Sequence, residues 1–267
     1  MGRQWALITG ASSGIGLEYA RVMAGKGYNL VVVSNEEERI GETGKWLEMQ
    51  YGVEVCALYM DLAVAEAPEK LYAICLEKGI EVEVLINNAG IFYLGEVAEG
   101  SPGLTEKMLL LHVNTPTMLC RLFGKDMKAR GHGYILNMSS LSAWLPCPGI
   151  ALYASTKNYL KSFSRAFRSE LYDYHVSVTV LCPGAVATDL YHLSHRLQRL
   201  AVRLGIMMEP GKLAARGVRA MFRKRATVVP GFINHLFIPL VCLLPSGLVR
   251  WGMRKSGLLP LVKQNGI

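Results

Sequence analysis

The stretch Trp5-Ala-Leu-Ile-Thr-Gly-Ala-Ser-Ser-Gly-Ile-Gly16 decides the fold class of this chain. Its first five residues are mostly apolar or β-branched and predict a buried strand, and the glycines that follow predict a tight turn. A helical pattern, Gly14–Gly27, comes directly afterwards. A strand, a glycine-rich turn and a helix in this order are typical of a phosphate-binding unit, because unpaired N–H groups at the helix start attract phosphate oxygens. A tight βα connection without a ligand is the alternative.

Strand and helix patterns continue to alternate as far as residue 181. Stretches such as Glu36–Tyr51 and Ile150–Tyr174 predict crossover helices, so we expect an α/β fold with a doubly wound, Rossmann-like parallel sheet. We predict a dinucleotide-binding catalytic domain, 1–225, and a hydrophobic, basic C-terminal extension of the same domain, 226–267. Nearly continuous apolar runs predict six strands that helices cover on both faces, namely Trp5–Thr9, Asn29–Ser34, Val53–Tyr59, Val82–Asn87, Gly133–Ser139 and Val176–Leu181.

The composition excludes several classes of protein. Of the 267 residues, 51% are hydrophobic and 19% are charged, which excludes a disordered chain. No run of about 18 residues is uniformly apolar, and the amino terminus lacks the pattern of a signal peptide, so we expect a cytoplasmic protein. The six cysteines form no C-x-x-C pair. We therefore expect free thiols and no metal site.

The net charge of +8 is distributed unevenly along the chain. Residues 1–189 contain 16 basic and 20 acidic side chains, whereas residues 190–267 contain 13 basic side chains and a single acid, Glu209. Because the basic part is also rich in leucine, it favours contact with an anionic membrane surface or an amphiphilic ligand over contact with nucleic acid.

Two segments of this basic part are candidates for contact with substrate or membrane. A substrate lid is predicted at 189–210, where one helical face carries Leu193, Leu197, Leu200 and Leu204. That face either packs on its own domain or forms an apolar wall over the pocket, with a basic surface toward the membrane. Residues 226–249 contain no charged side chain but three prolines, which argue against a spanning helix. The extension is expected either to contact a membrane surface or to complete the core or a subunit interface.

The end of the second predicted strand bears on the choice of cofactor. A carboxylate at this position usually holds the ribose hydroxyls of NAD, but the strand ends Val33-Ser34-Asn35. Ser34 and Asn35 can donate hydrogen bonds to a 2′-phosphate, and Arg39 lies one helical turn further on. Glu36 and the two acids after it argue for NAD, or they complement the dipole of the following helix. We expect NADP(H) in preference to NAD(H).

A phenol, an ammonium group and a hydroxyl are expected to meet beside the cofactor. Tyr153 and Lys157 are four residues apart, so a helix places both side chains on one face. Ser140 lies thirteen residues before Tyr153, directly after a predicted strand. The carboxyl end of a strand in an open parallel sheet opens into the ligand crevice.

In their order and spacing these motifs resemble the short-chain dehydrogenase/reductase family, over about residues 5–190. The resemblance also includes Asp61 after the third strand, Asn87-Asn88-Ala89-Gly90 after the fourth, Asn114, and the segment 183–188. It implies a compact, single-domain oxidoreductase, similar to membrane-associated reductases of long-chain 3-oxoacyl, steroid or sphingoid ketones. We also expect a homo-oligomer, either a dimer or a tetramer.

The resemblance implies a role for each motif residue. During ketone reduction Tyr153 donates a proton to the nascent alkoxide, and Lys157 stabilises the phenolate that remains. Ser140, chosen over the adjacent Ser139 by the thirteen-residue interval, binds the substrate oxygen. Asn114 anchors a water that relays protons from Lys157. The implied cofactor-binding residues are Gly10, Ser12, Ser13, Gly14, Ile15, Gly16, Ser34, Asn35, Arg39, Asp61, Leu62, Asn88, Ala89, Gly90, Tyr153, Lys157, Pro183, Gly184, Val186 and Thr188.

Two of these assignments and the reaction itself have alternatives. Asp61 either contacts the adenine or caps a loop, and Asn88 either lines the adenosine pocket or ties two strands together.

For the reaction we expect NADP(H)-dependent reduction of a lipophilic ketone. An isomerase or dehydratase that retains its cofactor is one alternative, although such relatives usually carry a longer substrate domain. A non-catalytic cofactor sensor is the other, and it is disfavoured because the catalytic set is intact.

Overall fold

The structure is a computed structural model that describes residues 4–145, 147–188, 194–231, 238 and 246–255. Its sheet is parallel throughout, with the strand order β3-β2-β1-β4-β5-β6-β7. The strands are β1 (Trp5–Thr9), β2 (Asn29–Ser34), β3 (Val55–Tyr59), β4 (Val82–Asn87), β5 (Gly133–Met138), β6 (Val176–Leu181) and β7 (Thr227–Val228). The predicted doubly wound α/β fold is confirmed.

Helices connect successive strands and cover both faces of the sheet. A π-helical turn, Leu110–Asn114, joins the fourth helix to the fifth. The helices are α1 (Gly14–Ala24), α2 (Glu37–Tyr51), α3 (Ala67–Glu77), α4 (Pro102–Leu109), α5 (Thr115–Arg130), α6 (Ala151–Leu171), α7 (His195–Arg203), α8 (Pro210–Phe222) and α9 (Ser246–Lys255).

Alternate residues of each strand are buried in two separate cores. In β1, Ile8 packs into a core shared with α1 and α8, whereas the neighbouring Leu7 packs into a core shared with α3 and α5. The same alternation separates Val32 from Val31 in β2. Since both faces are covered, both sets of side chains are apolar, which is why the strands are nearly continuous apolar runs.

The strand order places a crevice at the centre of the sheet. From β1 the chain continues outward to β2 and β3 and then returns to β4 on the opposite side of β1. Connections on the two sides therefore diverge at the carboxyl ends of β1 and β4, which is where open α/β sheets bind ligands.

The sheet contains a seventh strand, so the prediction of six strands was wrong. Val180 N donates to Ala226 O at 2.9 Å, and Cys182 N donates to Val228 O at 2.8 Å. A two-residue strand is too short to produce a periodic pattern, and it exists because the open edge of β6 supplies hydrogen-bonding partners. The first residues of the predicted extension, 226–228, are thus part of the sheet.

Much of the predicted extension and part of the predicted lid, including Leu193, lie outside the described residues. In the described part of the extension, Leu248 and Trp251 of α9 are 50% and 60% exposed. No helix in the described ranges is long and apolar enough to cross a membrane. The five cysteines within those ranges are free thiols, and Cys242 lies outside them.

Candidate active site

The carboxyl ends of the central strands border a cleft of about 380 Å³. Almost every residue that the sequence assigned to catalysis or cofactor binding lies on its wall, with Asn114 as the exception. These residues are Gly10, Ser12, Ser13, Gly14, Ile15, Gly16, Ser34, Asn35, Arg39, Asp61, Leu62, Asn88, Ala89, Gly90, Ser140, Tyr153, Lys157, Pro183, Gly184, Val186 and Thr188.

The glycine-rich turn after β1 forms one end of the cleft. Gly10 has a φ of +67°, and a Cβ atom there would lie 2.9 Å from the Cα atom of Ala89. A Cβ atom at Gly16 would overlap the carbonyl oxygen of Gly10. The Ser13 side chain makes no capping hydrogen bond to α1. The turn therefore lies directly against the segment after β4 and presents the start of α1 to the cleft, as a pyrophosphate site requires.

Asn88 and Asp61 perform the structural roles that were considered for them while also lining the cleft. The Nδ2 atom of Asn88 donates to the carbonyl oxygens of Thr9 at 3.0 Å and Gly10 at 3.3 Å, so it ties β1 to β4. The Oδ1 atom of Asp61 accepts a hydrogen bond from Ala63 N at 2.9 Å, which caps the loop after β3. Asn88 and Asp61 thus each make a hydrogen bond that supports the fold and also line the cleft.

The adenosine end of the cleft contains a carboxylate and a guanidinium group. Ser12 donates to Glu36 Oε2 at 2.5 Å and lies 2.8 Å from the hydroxyl of Ser34. Arg39 forms an ion pair with Glu36 at 3.0 Å. The hydrogen bond from Ser12, together with Arg39, lowers the pKa of Glu36 although partial burial opposes this. Glu36 is therefore ionised at neutral pH, directly after the carboxyl end of β2.

Tyr153 and Lys157 lie on the buried face of α6, one turn apart. Only 7% of Tyr153 is exposed, and the edge of Phe92 packs against its ring with centroids 5.0 Å apart. Lys157 Nζ donates to Met138 O at 3.0 Å and lies 5.7 Å from the centroid of the Tyr153 ring. Burial lowers the pKa of Lys157 to about 8. The ammonium group is thus held close to the phenol in a largely water-excluded position.

The two adjacent serines after β5 have different partners. Ser139 donates its hydroxyl hydrogen to the carbonyl oxygen of Lys157 at 2.7 Å, which holds α6 against β5. Ser140 accepts a hydrogen bond from Ser142 N at 3.1 Å. The engaged hydrogen of Ser139 leaves Ser140 better suited to donate to a substrate oxygen, and both residues line the cleft.

Asn114 differs in position from the other predicted site residues. It ends the π-helical turn, and its Nδ2 atom donates to Ala65 O at 3.5 Å rather than toward the cleft. Its proposed contact with a relay water stays a prediction. The same turn places His112, which the sequence analysis did not assign to the site, within 5.8 Å of the Tyr153 ring centroid.

His112 connects the cleft wall to the start of α6. Ile91 N donates to its Nε2 atom at 3.0 Å, so the ring proton lies on Nδ1, 3.0 Å from Thr156 Oγ1. Thr156 in turn donates to Tyr153 O at 2.8 Å. Burial and the neighbouring charge of Lys157 hold the pKa of His112 well below its usual value, and the ring is neutral. His112 therefore links the segment after β4 to the first turns of α6, which carry Tyr153, and we expect it to position that phenol.

We expect His112→Ala to lower kcat about tenfold, since a small displacement of a reacting group costs this much or more. Asn at the same position retains a donor near that of Nδ1, so His112→Asn should recover part of the loss. The measurement is kcat together with the Kd for cofactor, and the exposed His132→Ala is the matched control. A loss of stability with unchanged kcat in His112→Ala would assign His112 to the fold alone.

Some residues at or behind the cleft were not assigned to it from the sequence. Glu36 and Lys107 line the cleft, and His112 lies behind its wall, where it accepts the hydrogen bond from Ile91 N. The partners of His112 lie on the segment after β4 and on α6. Because no local spacing relates these segments, no signal in the sequence pointed to this histidine.

Comparison with known proteins agrees with this geometry. The very-long-chain 3-oxoacyl-CoA reductase-A of Danio rerio is 32% identical over 194 residues, which are 70% of this chain and 59% of that protein. The chain thus spans less than two thirds of that relative. A short-chain dehydrogenase from Sphingobium yanoikuyae, in complex with NADPH, has a TM-score of 0.78 at 26% identity, covering 95% of each chain.

A second solved structure and a family model lead to the same group of proteins. The alcohol dehydrogenase of the archaeon Thermococcus sibiricus, complexed with 5-hydroxy-NADP, has a TM-score of 0.72 at 27% identity, covering 85% of this chain and 96% of that one. The model of the short chain dehydrogenase family matches residues 4–197. With its glycine-rich turn, its tyrosine and lysine on α6 and its strand order, this chain belongs to the short chain dehydrogenase family.

Proposed function

We propose that this protein is an oxidoreductase that transfers hydride from NADPH to a lipophilic ketone. The observation that carries the proposal is the arrangement of Tyr153, Lys157 and Ser140 along one cleft wall, with the glycine-rich turn at the other end. This combination suits reduction of a carbonyl group, since it offers a proton donor beside a binding site for a dinucleotide.

The residues of the cleft fit a nicotinamide dinucleotide. Gly10 and Gly16 let the turn pack directly against neighbouring backbone, so that the start of α1 borders the cleft, where its N–H groups can bind a pyrophosphate. Buried Lys157 lies where it can reach ribose hydroxyls. When bound, the cofactor supplies hydride to the carbonyl carbon.

The protein supplies the proton and holds the substrate oxygen. Ser140 donates a hydrogen bond to the carbonyl oxygen and stabilises the charge that develops on it. The O–H bond of Tyr153 breaks as its proton passes to that oxygen, which gives the alcohol. The Lys157 ammonium stabilises the resulting phenolate by its charge. Solvent then returns a proton to Tyr153, and we propose the region of Asn114 as the entry.

The preference for NADPH over NADH is also a proposal. Arg39 and Asn35 provide hydrogen-bond donors at the adenosine end, beside Ser34, whose hydroxyl donates to Ser12. Both solved relatives above are complexes with NADPH or an NADP derivative. The Glu36 carboxylate opposes this preference because it repels a 2′-phosphate and occupies Arg39. We therefore expect a modest preference for NADPH in the native protein.

Glu36→Gln should strengthen that preference. The change removes the negative charge and releases Arg39, while the amide oxygen still accepts a hydrogen bond from Ser12. We expect the ratio of kcat/KM for NADPH to kcat/KM for NADH to rise about tenfold, equivalent to about 1.4 kcal/mol. The exposed Glu38→Gln, two residues further along the chain in α2, is the control. An unchanged ratio in Glu36→Gln would show that this carboxylate plays no part in cofactor choice.

The proposed substrate class rests on the apolar lining of the cleft and on one relative. Ile91, Leu111, Met138 and Val186 give the cleft apolar wall positions, and the Danio rerio relative is named for a very-long-chain 3-oxoacyl substrate. We propose a ketone of the 3-oxoacyl, steroid or sphingoid type. We also propose a homo-oligomer in the cytoplasm, with contact to a membrane surface through the C-terminal extension.

A ketone panel tests the proposed reaction. Purified protein would be mixed with NADPH and with 3-oxoacyl, steroid or sphingoid ketones, and NADPH depletion and alcohol formation would be followed together. We expect at least one class to be reduced, with equal amounts of NADPH consumed and alcohol formed. The proposal would be abandoned if no ketone were reduced faster by native protein than by Tyr153→Phe, or if substrate changed without net NADPH oxidation, as an isomerase would require.

A further inference from the structure

Helix α7 has its leucines on the outside. Leu197, Leu200 and Leu204 are 54%, 52% and 66% exposed, and Ile206, just after the helix, is 66% exposed. None of the four belongs to the cleft wall. In the described part of the predicted lid a helix is present, and its leucines neither line the cleft nor are buried against the domain. Leu197, Leu200 and Leu204 share one side of the helix, and Ile206 follows just after it. Single exposed apolar residues are ordinary, but such a group is not.

The side of α7 that faces the protein is fastened by a polar contact. Gln198 is only 6% exposed, and its Nε2 atom donates to Thr188 O at 3.3 Å. Thr188 itself lines the cleft. The segment after α7 is attached nearby, because Ala187 N donates to Met208 O at 3.0 Å. Helix α7 therefore turns Gln198 toward the cleft wall, and its exposed leucines lie on another side of the helix.

Three arginines form a second exposed stripe next to the leucines. Arg196, Arg199 and Arg203 recur at spacings of three and four residues and are all exposed. No acidic side chain of the described residues forms an ion pair with any of them. An exposed apolar stripe bordered by long cationic side chains is the arrangement of helices that lie in a membrane interface, where arginine reaches phosphate while its stem stays apolar.

Charge distinguishes between the partners that this surface can have. A second copy would bring the same arginine stripe against itself. The segment 232–267 of the same chain also contains lysines and arginines but no acid, so it too would be repelled. An anionic partner that is apolar beneath its charged surface complements both stripes. An anionic lipid bilayer has this chemistry.

We propose that the exposed face of α7 with Ile206, here termed the α7 surface, binds the protein to anionic membranes. Because α7 contacts Thr188 of the cleft wall through Gln198, this contact brings the cleft to about one helix diameter from the bilayer and gives a ketone with a long apolar chain a short path between them. The α7 surface is separate from the C-terminal extension, and the proposal does not depend on which ketone is reduced. It adds a partner to the proposed function, and a binding assay without turnover tests it independently.

Vesicle co-sedimentation of the full chain is the experiment. We expect binding to phosphatidylcholine vesicles that contain phosphatidylglycerol, much weaker binding to phosphatidylcholine alone, and loss of binding at high salt. Replacing all three arginines of the α7 surface by glutamine should weaken binding about a hundredfold, because each basic side chain near an anionic surface contributes about a factor of five. Replacing Leu197, Leu200 and Leu204 by serine should weaken it by a similar factor.

The control variants change basic and apolar side chains elsewhere on the surface. Lys45, Lys70 and Lys78 are exposed on or just after α2 and α3, and their replacement by glutamine removes the same charge. Met49 and Leu76, 83% and 57% exposed, serve for the apolar set. Reduction of a short, water-soluble ketone should be unchanged in every variant, which excludes misfolding.

The proposal fails if native protein does not bind anionic vesicles. It also fails if the control replacements weaken binding as much as the replacements on the α7 surface. It also fails if the leucine replacements convert an oligomer into a monomer in light scattering while vesicle binding persists, since a second copy would then be the partner. If the native protein reduced no ketone, the proposed function would be contradicted but the membrane contact would not.

Discussion

Tyr153→Phe is expected to lower kcat by about a thousandfold and to leave the Kd for NADPH nearly unchanged. Positioned general acids contribute roughly a hundred to ten thousandfold to rate, and the substitution removes only the O–H group. The ring is 7% exposed and is enclosed by the edges of Phe92 and His112. Phenylalanine fits the same space, so the loss should appear in turnover rather than in folding.

Tyr159 provides the control for this prediction on the same helix. It lies nearly two turns beyond Tyr153, is 39% exposed, and its hydroxyl lies 2.9 Å from Thr117 Oγ1, away from the cleft. Tyr159→Phe therefore makes the same chemical change at a surface position and should retain native kcat. Steady-state kinetics and fluorescence titration with NADPH measure the two quantities. Native turnover by Tyr153→Phe would remove this phenol from the mechanism.

The strands of the central sheet could be predicted almost to the residue because burial on both faces leaves a continuous apolar run. Where burial is incomplete, prediction is weaker. Strand β3 begins at Val55 instead of Val53. Its first four residues are only partly buried, and its last residue is exposed. Strand β7 depends entirely on hydrogen bonds with the edge of β6. Long-range pairing of this kind has no local pattern.

The convergence of the proposed catalytic residues was predictable for a different reason. Tyr153 and Lys157 are related by one helical turn, and Ser140 by a strand end, so local geometry brings them to the crevice. Glu36 shows the limit of this reasoning. Its position after β2 was visible, but its hydrogen bond to Ser12 depends on how closely two loops approach.

Helix α7 shows that a periodic pattern identifies a helix without identifying its inner face. Leucine spacing correctly predicted a helix in this segment, yet the buried side contains Gln198. The Thr188 carbonyl that this side chain contacts requires a donor. A helix buries its apolar face when that face would otherwise contact water. The exposed apolar face of α7 is consistent with contact to lipid.

Lys157→Met is expected to abolish most activity and yet to stabilise the cofactor-free protein at neutral pH. Lys157 is 5% exposed, and burial lowers its pKa to about 8 from a usual value near 10.5. The folded state therefore holds this proton less tightly than the unfolded state does. Below pH 8 both states are protonated and the full cost of the buried charge opposes folding.

The cost disappears as pH rises from about 8 to 10.5, because the folded state releases the proton first and the unfolded state follows. Methionine has nearly the same length and carries no charge, so Lys157→Met should raise the free energy of unfolding at pH 7 by roughly 2–3 kcal/mol. Loss of the hydrogen bond to Met138 O offsets part of this gain. The difference between variant and native protein should shrink toward zero at pH 10.

Urea denaturation without cofactor at pH 7 and pH 10 measures this difference, and Lys45→Met on the exposed side of α2 is the control. A lysine already in water has no desolvation to relieve, so the control should gain nothing at either pH. If Lys157→Met were less stable than native protein at pH 7, the ammonium would contribute to folding rather than oppose it. The expected result means that the fold tolerates a destabilising buried charge because that charge stabilises the Tyr153 phenolate during turnover.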